Sequence, residues 1–300
     1  MKRAVSVSLG SSSRDKKVTV ELGSQSISVE RIGTDGDVAR AQQLFAQLDG
    51  QVDALGVGGV DLYLCLGERE YPLHAALKLV ADVHQTPVVD GRGLKHTLER
   101  RVFELTEPVL GGRPRFQKAF VPVAVDRLGL AEAVTEVADE VIFGDLMVAL
   151  GVPIAIRGLD SFRRWARLLL PIVSYFPMGM LFYGSGGGDP EPRYERYWGM
   201  CDLIAGDFLF MRKHMPQDLS GRTIVTNTTT AQNVELLRAR GVERIITTTP
   251  RYDGRSFGTN VMEATLTAYA GLGRPLSNDE LNCLIDELGF RPSVQQLRAT

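Results

Sequence analysis

The sequence has few of the residues that build disulfide frameworks and metal sites. Its 300 residues include 3 cysteines and 4 histidines, and the cysteines (Cys65, Cys201 and Cys283) are far apart. An odd, scattered set of cysteines does not form a disulfide framework, and no cysteines or histidines have the spacing of metal ligands. These shortages predict free thiols, no bound metal and a cytoplasmic protein.

An excess of charge and a long apolar segment are also lacking. The net charge is −2 at pH 7, which favours neither nucleic acid nor an anionic membrane as a partner. The most apolar run, Leu168–Gly184, is too short to cross a bilayer and is interrupted by Pro171, Pro177 and Gly179. We expect this run to form buried core or a crossover between domains. Homo-oligomer formation stays open.

The remaining composition is that of a globular α/β protein. Three short alternating segments within the first 33 residues predict an antiparallel meander. From Val38 onward, segments with helical and strand periodicity alternate, which predicts βαβ units and a parallel sheet. The sequence therefore predicts two α/β units.

A second alternating series follows the apolar run. Its predicted strands are GMLFYGS (179–185), DLIAGD (202–207), RTIVTN (222–227) and RIITTTP (244–250), each followed by a helical segment. This pattern predicts a Rossmann-like parallel sheet of about four strands. With a boundary between residues 151 and 177, the predicted domains are an N-terminal substrate domain, 1–160, and a C-terminal nucleotide- or anion-binding domain, 161–300.

Small polar residues follow the strands of this second series. Ligands of open parallel sheets bind beyond the carboxyl ends of the strands, and the first turn of a helix offers free N–H groups to an anion. We predict a cofactor site in a crevice between the two halves. The alternative for the last helix is ordinary capping, with its apolar residues packed inward. The predicted cofactor-binding residues are Asn227, Thr228, Thr229, Thr248, Arg255, Ser256, Gly258, Thr259 and Asn260.

The segment VDGRGLKHTLERR (89–101) places Lys95 and His96 in the predicted first turn of a helix. A cation there opposes the helix dipole, which suggests that Lys95 binds an anion or transfers a proton. The alternative is a solvated lysine beside a surface histidine. Asp145 and Asp207 each end a strand after glycine, where an acid either binds a ligand hydroxyl or caps the next helix.

Three segments together resemble a known family. They are GRTIVTNTTTAQNVELLRARGVERIITTTPRYDGRSFGTNVMEA (221–264), the first 18 residues, and GLKHTLERR (93–101). They resemble bacterial proteins labelled quinate 5-dehydrogenase, which are similar to shikimate and quinate dehydrogenases. The resemblance implies bound NAD or NADP and a Lys–Asp pair at the substrate hydroxyl. Lys95 would be that lysine, with His96 beside it, and Asp35 in GTDG would be the aspartate, which here precedes the lysine.

Two functions follow as hypotheses. The first is an NAD(P)-dependent oxidoreductase that acts on a hydroxyl of a small polyhydroxy acid. The second is a protein that binds a nucleotide or phosphorylated metabolite without hydride transfer. The second hypothesis keeps weight because the glycines of LGVGGVDLYL (55–64) predict a bend or hairpin and not a dinucleotide turn. Both hypotheses predict a small anionic ligand.

Overall fold

The chain folds into two α/β units, as the sequence predicts. The computed structural model describes residues 1–181, 191–252 and 255–298, without the side chains of Tyr252 and Arg255. Each unit is built from separate stretches of chain. Unit 1 comprises Met1–Leu94, Leu169–Gly187 and Gly258–Phe290, and unit 2 comprises Lys95–Leu168, Gly188–Phe257 and Arg291–Thr300.

Strands and helices alternate along most of the described chain. The strands are β1 Lys2–Ser8, β2 Lys16–Leu22, β3 Gln25–Gly33, β4 Ala54–Gly58, β5 Tyr63–Leu66, β6 Arg69–Pro72, β7 Val88–Val89, β8 Phe116–Val121, β9 Ala138–Phe143, β10 Ile156–Arg157, β11 Leu203–Ala205, β12 Thr223–Thr226, β13 Arg244–Thr247, β14 Arg251–Tyr252, β15 Arg255–Ser256 and β16 Ser293–Gln296. The helices are α1 Val38–Leu48, α2 His74–Leu77, α3 Arg92–His96, α4 Val102–Leu110, α5 Leu128–Val137, α6 Leu159–Val173, α7 Met178–Leu181, α8 Glu195–Met200, α9 Phe208–His214, α10 Ala231–Ala239, α11 Thr259–Ala270 and α12 Asn278–Glu287.

The sheet of unit 1 has the strand order β2-β3-β1-β4-β7. The hairpin β2–β3 is antiparallel, but β1 pairs in parallel with both β3 and β4. The predicted meander is therefore wrong for β1. Alternation of apolar and polar residues identifies a strand but does not determine its neighbour or its direction. The glycines of residues 55–64 end β4 and precede the hairpin β5–β6, as predicted.

The sheet of unit 2 has the strand order β10-β9-β8-β11-β12-β13-β16. Its five central strands are parallel, and the two edge strands are antiparallel to their neighbours. Three of the four strands predicted in the second half are confirmed as β11, β12 and β13. The strand predicted at 179–185 is wrong where the structure describes it, since Met178–Leu181 is helix α7. Residues 182–185 lie outside the described part.

The units do not follow the predicted boundary between residues 160 and 161. The chain passes from unit 1 to unit 2 after Leu94, and it returns to unit 1 after Leu168. These crossings fall inside α3 and α6, so no change of composition marks them. The predicted crossover in the apolar run is confirmed, whereas the buried-core interpretation is wrong for Leu168 and Ile172, which are exposed.

Helix α11 belongs to unit 1 and packs on β1, β3 and β4, although the sequence places it with the strands that precede it. Glycines on unit 1 let the helix approach closely. A Cβ atom on Gly91 would lie 2.6 Å from the backbone nitrogen of Asn260, and one on Gly56 would lie 2.8 Å from its carbonyl oxygen. The first turn of α11 therefore rests directly on neighbouring backbone.

Gly91→Ala should destabilise the protein more than Gly67→Ala. Both glycines lie in unit 1 at positive φ, +93° and +63°, but a Cβ on Gly67 meets nothing within 4 Å. The backbone penalty alone should cost about 1 kcal/mol at Gly67. The added clash should bring the cost at Gly91 to about 2–4 kcal/mol. Urea unfolding of both variants measures the difference, and equal losses would contradict the close packing of α11.

Candidate functional site

The connectivity of unit 2 reverses between β8 and β11. The chain leads from β8 to β9 on one side, whereas β11, β12 and β13 follow on the other side of β8. In open parallel sheets the loops at such a reversal separate and leave a crevice beyond the carboxyl ends of the two strands. The relevant loops are residues 122–127 after β8 and residues 206–207 after β11.

Charged and amide side chains gather at these strand ends. They come from the loops after β8, β11, β12 and β13, from the end of α3 and from the segment between α3 and α4. We call this group the switch-point cluster, which consists of Lys95, Glu99, Asp126, Arg127, Asp207, Asn227 and Thr248.

Arg127 is buried at the centre of the cluster. Its Nη1 donates to Glu99 Oε1 at 2.6 Å, and its Nη2 donates to Asp207 Oδ2 at 3.2 Å. Its Nε lies 3.6 Å from Asp126 Oδ2, and Lys95 Nζ lies 4.0 Å from that same oxygen. One guanidinium thus connects three carboxylates from three different segments of chain.

Asp207 both caps a helix and belongs to the cluster. Its Oδ1 accepts hydrogen bonds from the backbone nitrogens of Leu209 and Phe210 at the start of α9. Its Oδ2 accepts from Asn227 Nδ2 at 2.7 Å as well as from Arg127. The helix-cap alternative that the sequence offers for Asp207 is therefore confirmed for Oδ1. Binding of a ligand hydroxyl by this residue stays a prediction.

Glu99 is the most deeply buried member. Its Oε1 accepts from Arg127 and, at 3.0 Å, from Thr248 Oγ1. Its Oε2 has no hydrogen-bond partner among the described residues. Burial raises the pKa of Glu99, and the charges of Arg127 and Lys95 oppose that increase. Both cations favour the ionised form of this buried carboxyl.

Asp145 supports the loop that carries Asp126 and Arg127. It follows β9, is buried, and accepts hydrogen bonds from the backbone nitrogens of Ala124 and Val125 at 3.0 and 2.9 Å through Oδ1. Burial raises the pKa of Asp145 from 3.8 to about 7, although these two N–H groups favour the ionised form. These contacts hold the backbone of an earlier loop, which is neither of the two roles that the sequence suggests for Asp145.

Part of the predicted site comes together in unit 2. Lys95, Asn227 and Thr248 are in the cluster, and Thr228 is buried next to Asn227. Lys95 and His96 end the short helix α3 instead of starting a helix, so the predicted conflict with the helix dipole does not arise. His96 is half-buried.

The sequence analysis missed Glu99, Asp126 and Arg127. Asp126 and Arg127 follow the predicted strand FQKAFVPVA closely, and that position at a strand end is a usable signal. Glu99 stands among basic residues in what reads as an exposed helix, so nothing in the local sequence indicates its burial.

Ser256 and Thr229 join two loops of unit 2. Ser256 Oγ accepts from the Thr229 backbone nitrogen at 2.8 Å and donates to the Asn227 carbonyl at 3.1 Å. Thr229 Oγ1 lies 3.3 Å from the same hydroxyl. These contacts hold β15 against the end of β12. The Ser256 hydroxyl thus makes its hydrogen bonds within the fold, and its role in cofactor binding stays a prediction.

The predicted anion cradle at α11 is divided between the units. Gly258, Thr259 and Asn260 belong to unit 1, whereas Ser256 belongs to unit 2. Asn260 Nδ2 donates to Ser6 Oγ at 2.7 Å, and the backbone of Gly91 covers the first turn. Packing therefore accounts for these small residues without a bound anion, and the anion site there stays a prediction. The side chain of Arg255 lies outside the described part.

Asp35, predicted as the partner of Lys95, lies in unit 1. Its Oδ1 accepts from the Ser12 backbone nitrogen at 2.8 Å, and this hydrogen bond is the main reason that the pKa of Asp35 is lowered. Its φ of +52° places it in a tight turn before α1, whose N-cap is Asp37. The acid beside Lys95 in unit 2 is Asp126. Asp126, unlike Asp35, follows Lys95 in the sequence.

Two family models match separate parts of the chain. The model of a family described as "Domain of unknown function (DUF8754)" matches residues 93–297. The chain belongs to this family. A second model, "Domain of unknown function (DUF8753)", matches residues 3–90. The limit between the two matches lies close to the point at which the chain leaves unit 1 after Leu94. No curated protein matches the chain.

Solved structures align over almost the whole chain at low similarity. GanP, a glucose-galactose binding protein from Geobacillus stearothermophilus, is 9% identical, with 99% of this chain and 97% of that chain covered and a TM-score of 0.37. A Mycobacterium smegmatis protein in complex with beta-D-fucofuranose is 10% identical, with 99% and 92% covered and a TM-score of 0.35. At these TM-scores neither protein supports an argument about the present site.

The described residues lack two further classes of feature. No helix among them has the length and apolar character needed to cross a membrane. Within the same residues, no group of three or more histidine, cysteine, aspartate or glutamate side chains is arranged to hold a metal ion.

Arg127→Met should strongly destabilise the protein, because it leaves Glu99 buried without the guanidinium that donates to it. Removing one partner of a buried ion pair typically costs about 3–5 kcal/mol. Adding Glu99→Gln should recover part of that loss, because the remaining group is neutral. Urea unfolding of the wild type, both single variants and the double variant measures the coupling. Arg238→Met, which breaks an exposed pair with Glu235, is the control and should cost less than about 1 kcal/mol. A loss this small at Arg127 would contradict the assigned role.

Asp145 should make stability fall as the pH rises. Its pKa is raised from 3.8 to about 7, so between these values the folded state binds more protons than the unfolded state. The free energy of unfolding contributed by this group therefore decreases from about pH 4 to pH 7. An asparagine side chain does not titrate, so Asp145→Asn should gain stability relative to the wild type across that window. Urea unfolding at several pH values tests this, with exposed Asp139→Asn as the control. Parallel pH curves for wild type and Asp145→Asn would contradict it.

Proposed function

We propose that the protein binds a small polyhydroxylated molecule at the switch-point cluster of unit 2. The observation that carries this proposal is the spatial arrangement of hydrogen-bond donors and acceptors around Arg127. Lys95 and Arg127 donate, Asp126 and Asp207 accept, and the amide of Asn227 does both. A hydroxyl group also donates and accepts, so neighbouring hydroxyls on one ligand match an array of alternating character.

The exposure of the cluster supports the same proposal. The side chains of Asp126 and Asp207 are 29% and 31% exposed, whereas those of Lys95, Glu99 and Arg127 are almost fully buried. Two carboxylates therefore face solvent, and the buried groups fix their positions. Such pre-positioned polar groups reduce the entropy cost of binding a polar ligand.

The charge of the cluster indicates a neutral ligand. Glu99, Asp126 and Asp207 are acidic, whereas Lys95 and Arg127 are basic. The acidic excess favours a neutral sugar or polyol over the anionic ligand predicted from the sequence. The N-terminus of α9, where a phosphate could otherwise bind, is already capped by the Asp207 carboxylate.

A second candidate is the oxidoreductase that the resemblance implies. The observation that favours it is the distance of 4.0 Å between Lys95 Nζ and Asp126 Oδ2. A lysine and an aspartate on either side of a substrate hydroxyl could transfer its proton while hydride passes to NAD or NADP. This candidate requires a nicotinamide site in addition to the polyol site.

Titration calorimetry with neutral hexoses, linear polyols, quinate and shikimate tests the proposal. We expect a neutral polyhydroxy compound to bind, and Asp126→Asn to weaken that binding by about ten- to a hundredfold through loss of a charge-assisted hydrogen bond worth about 1.5–3 kcal/mol. Asp139→Asn, the same change at an exposed position in unit 2, should leave the affinity unchanged.

Two outcomes would contradict polyol binding. One is that no neutral compound of the panel binds, and the other is that Asp126→Asn binds as tightly as the wild type. Titration with NADH in the presence of the bound compound distinguishes the oxidoreductase from a protein that only binds the polyol. Energy transfer from tryptophan to NADH, together with turnover that Lys95→Met abolishes, would favour the oxidoreductase.

A further inference from the structure

Helix α6 exposes large apolar side chains on one flank. Trp165, Leu168 and Ile172 are 39%, 64% and 58% exposed, and their spacing of three and four positions places them on one side of the helix. The inner face of the helix is separate. Phe162 on that face is buried and packs on Phe143 of β9, with 4.9 Å between ring centroids. The exposed flank is therefore not needed to attach α6 to the sheet.

The opposite flank of α6 is basic. The helix contains Arg163, Arg164 and Arg167 and one acid, Asp160, so its formal charge is +2. Arg163 pairs with Glu132 at 2.6 Å and lies 3.9 Å from Asp160, whereas Arg164 and Arg167 are exposed. The net charge of −2 for the whole chain does not reveal this local excess of positive charge.

Exposed apolar side chains beside exposed arginines match the two parts of an anionic bilayer surface. Helices that lie in the plane of a membrane interface carry arginine or lysine on the polar side and tryptophan or leucine on the apolar side. The apolar side chains enter the acyl boundary, and the arginines contact the anionic headgroups. A polar protein surface would leave Trp165, Leu168 and Ile172 without apolar contact, so it fits this helix less well.

We propose that α6 binds the surface of an anionic lipid membrane, with Trp165, Leu168 and Ile172 in the acyl boundary and Arg164 and Arg167 at the headgroups. This proposal concerns peripheral contact by one helix and is independent of the switch-point cluster.

Vesicle binding by the full chain tests this proposal. The probes are vesicles of phosphatidylcholine with and without phosphatidylglycerol, and the readouts are cosedimentation and tryptophan emission. Trp165 is half-exposed and Trp198 is buried, so Trp165 is the reporter. We expect cosedimentation with the anionic vesicles, a blue shift of the emission, and loss of that shift in Trp165→Phe. Binding should weaken as salt concentration rises.

Variants at exposed positions separate the apolar and the charged contributions. Leu168→Gln with Ile172→Gln should weaken binding roughly tenfold or more, because two apolar contacts with the bilayer are lost. Arg164→Gln with Arg167→Gln should remove the preference for phosphatidylglycerol. Arg238→Gln, an exposed arginine on α10, is the matched control and should bind like the wild type.

Three results would overturn the proposal. The first is no binding to anionic vesicles, and the second is equal binding to both vesicle types at every salt concentration. The third is that light scattering shows a stable oligomer that Leu168→Gln with Ile172→Gln dissociates, while no variant binds vesicles. The last result would assign the apolar flank to contact with a second copy of the chain.

Discussion

The burial of Arg127 is the constraint on which the carboxyl edge of unit 2 depends. A guanidinium without water must be surrounded by acceptors, and here they come from the α3–α4 segment and the loops after β8 and β11. Each of these segments lies outside the strands, where side-chain contacts add to the few backbone hydrogen bonds that position it. The charge network therefore holds the loops in position, as backbone hydrogen bonds hold the strands. It keeps Asp126 and Asp207 at the mouth of the crevice.

The carboxyl edge of the unit 1 sheet is stabilised by a different means. Gly56, Gly58 and Gly91 remove side chains where α11 arrives, and the first turn of the helix rests on backbone atoms. Asn260 adds a hydrogen bond to Ser6 of β1. Glycine at a strand end has two possible explanations, because it lets either a ligand or another part of the protein approach the backbone. At α11 it is the protein that occupies the space.

The predictions that succeeded depend on neighbouring residues. Alternation and helical spacing identify β11, β12, β13, α10 and α11, because side-chain periodicity follows directly from strand and helix geometry. Predictions that failed required knowledge of contacts between distant residues. The parallel pairing of β1 with β3 and the packing of α11 on unit 1 are of this kind. Met178–Leu181 failed for another reason, since a short apolar run is compatible with both helix and strand.

The sequence by itself determined that the chain is α/β, that polar residues follow its strands, and that Asn227 and Thr248 are among those residues. These are local properties, set by periodicity and by the residues that end an element. Tertiary structure decided that Glu99 is buried against Arg127, that Asp126 lies beside Lys95, and that the Ser256 hydroxyl makes its hydrogen bonds within the fold. Burial and charge pairing depend on which distant segments are in contact. The order of the strands in the sheet determines these contacts, and local periodicity does not encode that order.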